Sequence, residues 1–172
     1  MTVYIGIGSN VDPERNIIAA LRLLKERVRV IAVSSFYLTE PLGSPGAPRF
    51  YNGAIKIETD TNPRELKFGV LRHIEKTLGR TRTEDRYAPR TIDLDILLYG
   101  DLVAREPDLM IPDPDIPVRP FLAVPLLELQ TDLVLPDSGR RLKDVVDLLP
   151  AGSLKPLTEF TRNLREELEN ER

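Results

Sequence analysis

The 172 residues predict an α+β sandwich of the ferredoxin-like kind: a β-α-β-β-α-β run with an antiparallel sheet, helices on one face and a C-terminal extension. Three patterns predict it. Four stretches are strand-like, mostly with the two-residue alternation of a strand, two others carry the spacing of amphipathic helices, and they succeed one another in that order.

Val3 to Gly8 reads as the first strand, ending at Ser9-Asn10. Its Gly-x-Gly is followed by Val11 where a dinucleotide fingerprint needs a third glycine, so a Rossmann reading fails and the glycines are expected to permit close backbone packing. Asp12-Pro13 has the form of an N-cap with proline at the first helical position. Ile17, Leu21, Leu24 and Val28 then repeat at helical spacing, with Arg and Lys on the wet side. Val30 to Leu38, β-branched and aromatic, is the second strand, and it runs into a proline- and glycine-rich loop from Thr39 to Pro48. Asn52 to Glu58 is the third strand. Asn62 and Glu65 are spaced as a capping box for a helix that turns Leu66, Val70, Leu71, Ile74 and Leu78 inward and ends at Gly79, a glycine at the C′ position.

The fourth strand is the most informative. In Arg90-Thr91-Ile92-Asp93-Leu94-Asp95-Ile96-Leu97-Leu98-Tyr99, apolar residues alternate with Asp93 and Asp95, and Leu97 makes the far end apolar on both faces, as in a covered sheet. The two aspartates therefore share one face, their Cα atoms roughly 6.6 Å apart at about 3.3 Å per residue. Such a pair repels itself unless cations compensate, and Mg²⁺ suits one or two carboxylates together with substrate phosphates. The bland alternative is an edge strand showing two acids to water. Beyond Tyr99 six prolines fall between Pro107 and Pro125, where an irregular segment is expected. Short helices are expected at Leu122 to Leu129 and Leu142 to Leu149. Phe160, Leu164 and Leu168 mark an amphipathic tail. Residues 1–156 are read as the functional domain and 157–172 as a charged helical tail, part of that domain or loosely attached.

Composition narrows the function classes. Hydrophobic content of 41% with 30% charged residues is that of a soluble globular chain. A net charge of −3 and pI near 5.3 argue against a nucleic-acid partner. With no cysteine and one histidine, His73, read as structural, thiol chemistry and multi-histidine metal sites are excluded. No apolar run reaches membrane-spanning length, and the opening residues lead directly into a strand, so a cytoplasmic protein with no membrane partner is expected.

Two constellations could carry chemistry. Arg80, Arg82, Arg86 and Arg90, four arginines in eleven residues, lie immediately before the aspartate strand. The guanidinium fork binds phosphate bidentately, so this loop is a candidate clamp beside a metal site, against the alternative of a solvated loop balanced by Glu84 and Asp85. Phe50, Asn52 and the 39–48 loop could form a pocket for a flat ligand, Phe50 stacking and Asn52 reading an edge. Phe50 as ordinary core remains open. Glu75 reads by default as a surface ion pair.

Pro89-Arg90-Thr91-Ile92-Asp93-Leu94-Asp95-Ile96 closely resembles the signature of the 6-hydroxymethyl-7,8-dihydropterin pyrophosphokinase family. Gly6 to Asn10, Ser34 to Tyr37 with Thr39, Pro41 to Gly43, Phe50 to Asn52, Ile74-Glu75, Gly79-Arg80 and Arg119 to Phe121 fall in the family's order, over roughly residues 1–150. The resemblance implies Mg²⁺-dependent transfer of pyrophosphate from ATP to the pterin hydroxymethyl oxygen, releasing AMP, in folate biosynthesis. It implies that Asp93 and Asp95 bind two Mg²⁺ ions and that Arg80 and Arg90 act on the phosphates. Glu75, Arg82 and Arg119 would join those arginines on the ATP side. The pterin would lie between Phe50 and Phe121, read by Asn52, Thr39 and Leu42. The partners implied are small molecules, and a monomer is expected. The loops 79–90 and 39–48 are expected to order over the ligands.

The chain also departs from the family. Asp113, between Pro112 and Pro114, stands where histidine is usual, and Tyr87 replaces a tryptophan of some members. Asp113 is expected to pair with Arg119 and orient it. A two-metal nucleotidyltransferase and a non-catalytic ligand-binding domain are the rival readings; the first needs a nucleic-acid groove, and the second has no use for the acids and arginines together.

Overall fold

The computed structural model describes residues 1–40, 46, 48–80, 90–150, 152 and 154–170. Leu42, Arg82 and Tyr87, and most of the two loops expected to close over ligand, lie outside the described residues. In chain order the elements are β1 (Thr2–Ser9), α1 (Pro13–Lys25), β2 (Arg29–Val33), β3 (Tyr37–Thr39), β4 (Phe50–Glu58), a π-helical segment Glu65–Leu71 continuing into α2 (Arg72–Thr77), and β5 (Asp93–Tyr99). A small hairpin, β6 (Ala104–Glu106) and β7 (Leu109–Ile111), follows, then α3 (Pro120–Leu129), α4 (Leu142–Asp147), β8 (Lys155–Pro156) and α5 (Thr158–Glu169).

The main sheet is antiparallel in every described pairing, ordered β5-β1-β4-β3-β8, with β2 also paired to β4. The predicted second strand is divided into β2 and β3. Phe36, between them, gives its backbone to the tail: its N–H donates to Thr161 Oγ1 at 2.9 Å and its carbonyl accepts from Leu157 N at 2.8 Å.

Alternation along β1 sorts the core. Val3, Ile5 and Ile7 face α1, the π-helical segment, α2 and α5, where Ile17, Leu21, Leu66, Ile74 and Leu164 are buried. On the opposite face Tyr4, Ala54, Leu97 and Leu98 pack under Ala123 and Leu126 of α3 and Leu142 and Val145 of α4. Helices thus cover both faces, which corrects the expectation of one. The reason is the apolar patch made by Leu97, Leu98 and Tyr4, which would cost too much left in water. Among the described residues the other end of that face is left as a cleft above Gly6, Gly8, Asp93 and Asp95.

Local signals fare unevenly. Asp12 does not cap α1: it sits at φ 45° with no side-chain cap bond, and Pro13 alone marks the start. Asn62 Oδ1 accepts Glu65 N at 2.9 Å, half of the capping box. Gly79, at φ +82°, ends α2 as expected, with Gly79 N bonded to the Lys76 carbonyl and Arg80 N to the Glu75 carbonyl, both at 3.0 Å. α5 buries Phe160, Leu164 and Leu168 on the same core as α1, and Lys25 Nζ donates to the Glu167 carbonyl at 3.0 Å.

Candidate active site

β1 contributes two residues without side chains to the floor of a cleft of about 200 Å³. In register, Gly8 lies between Asn52 and Asp93, and Gly6 between Ala54 and Asp95. A Cβ on Gly8 would stand 2.6 Å from Asn52 Oδ1, so glycine leaves the Asn52 amide its place across the strand. At one end of the cleft stand Thr39, Phe50, Asn52 and Phe121, and Asn52 Nδ2 donates to Thr39 Oγ1 at 2.7 Å. Arg90, Asp93 and Asp95 occupy the other end, with Asp113, Asp115 and Arg119 along the wall.

Behind the aspartates runs a chain of ion pairs. Asp93 accepts Arg90 Nη1 at 2.7 Å on one oxygen and Arg80 Nη1 at 2.6 Å on the other. Arg80 also donates to Glu75 Oε2 at 2.8 Å. Burial opposes the Arg80 charge, but Asp93 and Glu75 outweigh it and hold its pKa above the ordinary value. Glu75 is buried, its side chain 3% exposed, and takes Arg72 on both oxygens at 3.0 and 3.1 Å. It is not the surface ion pair of the default reading, and neither it nor Arg80 lines the cleft.

Asp95 lies deep in the concave floor, yet 45% of its side-chain surface can still be reached. Burial, and then the Asp93 carboxylate, push its pKa up to about 7, while Arg72 draws it down. An acid made reluctant to ionise by confinement and a like charge is one that an added cation relieves. Asp93 and Asp95 are hard oxygen donors on one strand face. Among the described residues no group of three or more His, Cys, Asp or Glu is arranged to hold a metal ion by itself. That donor set fits Mg²⁺, which completes its shell with water and substrate oxygens.

Residues 4–131 match the family model described as 7,8-dihydro-6-hydroxymethylpterin-pyrophosphokinase (HPPK). The chain belongs to the HPPK family. It is 41% identical over 141 residues to the 2-amino-4-hydroxy-6-hydroxymethyldihydropteridine pyrophosphokinase of Haemophilus influenzae, covering 80% of this chain and 87% of that one. To the Pseudomonas aeruginosa protein of the same name it is 39% identical over 158 residues, covering 90% and 96%. A crystal structure of the Plasmodium falciparum HPPK-DHPS protein superposes with a TM-score of 0.65 at 14% identity, covering 85% of this chain and 43% of that one. At that identity the likeness is one of fold.

Of the residues expected in an HPPK site, Thr39, Phe50, Asn52, Phe121, Arg90, Asp93, Asp95 and Arg119 meet in the cleft. Asp113 does not pair with Arg119 as expected. Its Oδ1 accepts the Asp115 N–H at 2.8 Å, closing a local turn, and its own N–H donates to the Leu97 carbonyl at 2.9 Å. Among the described residues the Asp115 amide, two positions on, takes this carboxylate oxygen instead of a guanidinium. Burial pushes the Asp113 pKa up to about 6.

Two groups were not singled out from the residues. Asn10, 4% exposed, bridges the bases of both loops: its Oδ1 accepts Arg90 N at 2.7 Å and its Nδ2 donates to the Pro48 carbonyl at 3.4 Å. Ser9 Oγ donates to the Thr91 carbonyl at 2.6 Å. A Ser-Asn pair at the end of the first strand is the available signal. Arg72 carries no expectation from the sequence.

Proposed function

We propose that this HPPK family member transfers the β,γ-pyrophosphoryl group of ATP to the hydroxymethyl oxygen of 6-hydroxymethyl-7,8-dihydropterin. The oxygen attacks the β phosphorus, the bond from that phosphorus to the α–β bridging oxygen breaks, AMP leaves, and the hydroxyl proton passes to solvent. The observation that carries the reading is the juxtaposition of an aromatic and amide end with an arginine and carboxylate end in one cleft.

Phe50 and Phe121 hold the pterin ring, and Asn52, ordered by Thr39, reads its edge, with Leu42 assigned beside them by family likeness. Arg90 and Arg119 meet the polyphosphate from the cleft. Arg80 adds its charge from behind Asp93, and Arg82 is assigned to the same side, with Glu75 acting through Arg80. Asp93 and Asp95 hold two Mg²⁺ ions, which supply charge neutralisation for the phosphates when bound. The chain's own part is positioning and fixed charge, which is most of what phosphoryl-type transfer requires.

The strand order, with β1 between β5 and β4 and with β2 and β3 beyond β4, is read as a ferredoxin-like core. Residues 1–156 form the pyrophosphokinase unit, with 157–172 as an integral tail, in a cytoplasmic monomer. No helix among the described residues is long and apolar enough to cross a membrane. Incubation with ATP, Mg²⁺ and hydroxymethyldihydropterin should give AMP in step with pterin diphosphate. Release of inorganic pyrophosphate that depends on added nucleic acid would favour a nucleotidyltransferase instead.

A further inference from the structure

Arg72 opens α2 directly after the π-helical segment, does not line the cleft, and carries no role in the assignments above. Its Nη1 donates to both oxygens of Glu75 at 3.0 and 3.1 Å and to the Leu94 carbonyl at 3.3 Å. Its Nη2 stands 3.9 Å from Asp95 Oδ1. Glu75 in turn accepts the Leu94 N–H at 2.9 Å and Arg80 at 2.8 Å, and Arg80 meets Asp93 at 2.6 Å. Six charges therefore alternate in sign along one path: Asp95, Arg72, Glu75, Arg80, Asp93 and Arg90. Three are acids and three arginines, so the path is neutral by itself, and it would also be neutral with two divalent cations and a fully ionised triphosphate added.

Within this path Arg72 has a distinctive place. Among the described residues it is the one guanidinium that pairs with both the buried Glu75 carboxylate and Asp95. An alternating chain in low dielectric is stiff, because losing an interior member leaves its neighbours buried with a missing counter-charge. Glu75 would keep Arg80 and the Leu94 N–H and would draw Arg80 away from Asp93, while Asp95 would lose the cation that stands 3.9 Å from it.

We propose that Arg72 is a positioning residue for the reaction: from outside the cleft it fixes Asp95 and Glu75, and through Glu75 it sets where Arg80 stands. The inference rests on the pyrophosphokinase reading of the cleft and adds a residue to it. Loss of the Arg72 charge and displacement of Arg80 act in the same direction on a polyphosphate. Neither acts on the pterin end, where Thr39, Phe50, Asn52 and Phe121 are held by other elements.

The test compares the parent with Arg72→Gln and Arg72→Lys. Binding of an ATP analogue with methylene in place of the α–β bridging oxygen, with Mg²⁺, is measured by calorimetry; pterin binding is measured separately, and kcat and KM come from AMP release. Arg72→Gln is expected to weaken analogue binding at least fivefold and lower kcat at least tenfold, with pterin affinity within twofold of the parent. Arg72→Lys restores the charge without the fork and should recover most of the binding but only part of kcat. Analogue binding and kcat within twofold of the parent in Arg72→Gln would overturn the proposal. So would equal loss of pterin and nucleotide binding in both variants, with lowered melting temperatures, which would mark Arg72 as a general structural contact. A parent that released no AMP would sink the functional reading, while the calorimetric comparison would still decide the case of Arg72.

Discussion

The carboxylate of Glu75 accepts the backbone N–H of Leu94, the residue between Asp93 and Asp95, at 2.9 Å. Helix α2 is thereby tied to the aspartate strand at the midpoint of the acid pair. The same carboxylate holds Arg72 and Arg80, so three donor residues among those described depend on one buried group. Glu75→Ala is expected to cost about 3–5 kcal/mol of stability, the usual penalty for breaking a buried pair. Glu75→Gln, which keeps an acceptor for Leu94, should cost less. Thermal denaturation of both variants checks the order, and an Ala variant as stable as the parent contradicts it.

Removing either aspartate should abolish AMP release, but the two differ in stability. Asp93 is paired with Arg80 and Arg90, so Asp93→Ala takes a counter-charge from two guanidinium groups and lowers the melting temperature of the metal-free protein. Asp95 is held in a setting that disfavours its charge, so Asp95→Ala leaves stability unchanged or slightly raised. Melting curves without metal would refute this if the order were reversed.

Stability of the metal-free protein should fall as pH rises. Asp95, at about 7, and Asp113, at about 6, both lie above the ordinary 3.8. Each binds a proton in the fold at a pH where the unfolded chain has released it, so its contribution is full below 3.8 and is lost as pH climbs through the folded value. The melting temperature is therefore expected to decline between about pH 4 and 7. Asp95→Asn should flatten the upper part of that decline; an unchanged slope in the variant would show that other groups set it.

Asn10→Ala is expected to weaken pterin and nucleotide binding together, because its amide holds Arg90 at one loop base and Pro48 at the other. Loss of the partner of the Arg90 N–H should also cost about 1–3 kcal/mol of stability. Asn10→Asp keeps that acceptor and should spare more stability than Ala. Loss of affinity for one ligand only would refute the bridging role.

Asp113→Asn should retain turnover and bind the nucleotide at least as tightly as the parent. The amide oxygen still accepts the Asp115 N–H, and a negative charge on the cleft wall is removed. A marked loss of nucleotide binding would restore the idea that Asp113 orients Arg119.

Much of this was legible in the chain because it is local. A period of two places Asp93 and Asp95 on one face whatever lies opposite, and the 3.6-residue period makes Ile17, Leu21 and Leu24 one stripe. Gly79 marks the helix end, since only a residue free of Cβ strain adopts its φ readily. Even the covered second face left a trace in Leu97, apolar where a polar residue would keep alternation.

Tertiary structure decided what stands across from each face. Nothing in periodicity brings Glu75 to Leu94, Asn10 to Pro48 and Arg90, or Thr161 to Phe36, pairs separated by 19 to 125 positions for which sequences are available only as candidate donors and acceptors. Those contacts exist because buried polar groups must find partners wherever packing leaves them. For the same reason Glu75, placed by its helix against a strand of the core, became the buried anchor of the arginines rather than a solvated surface acid.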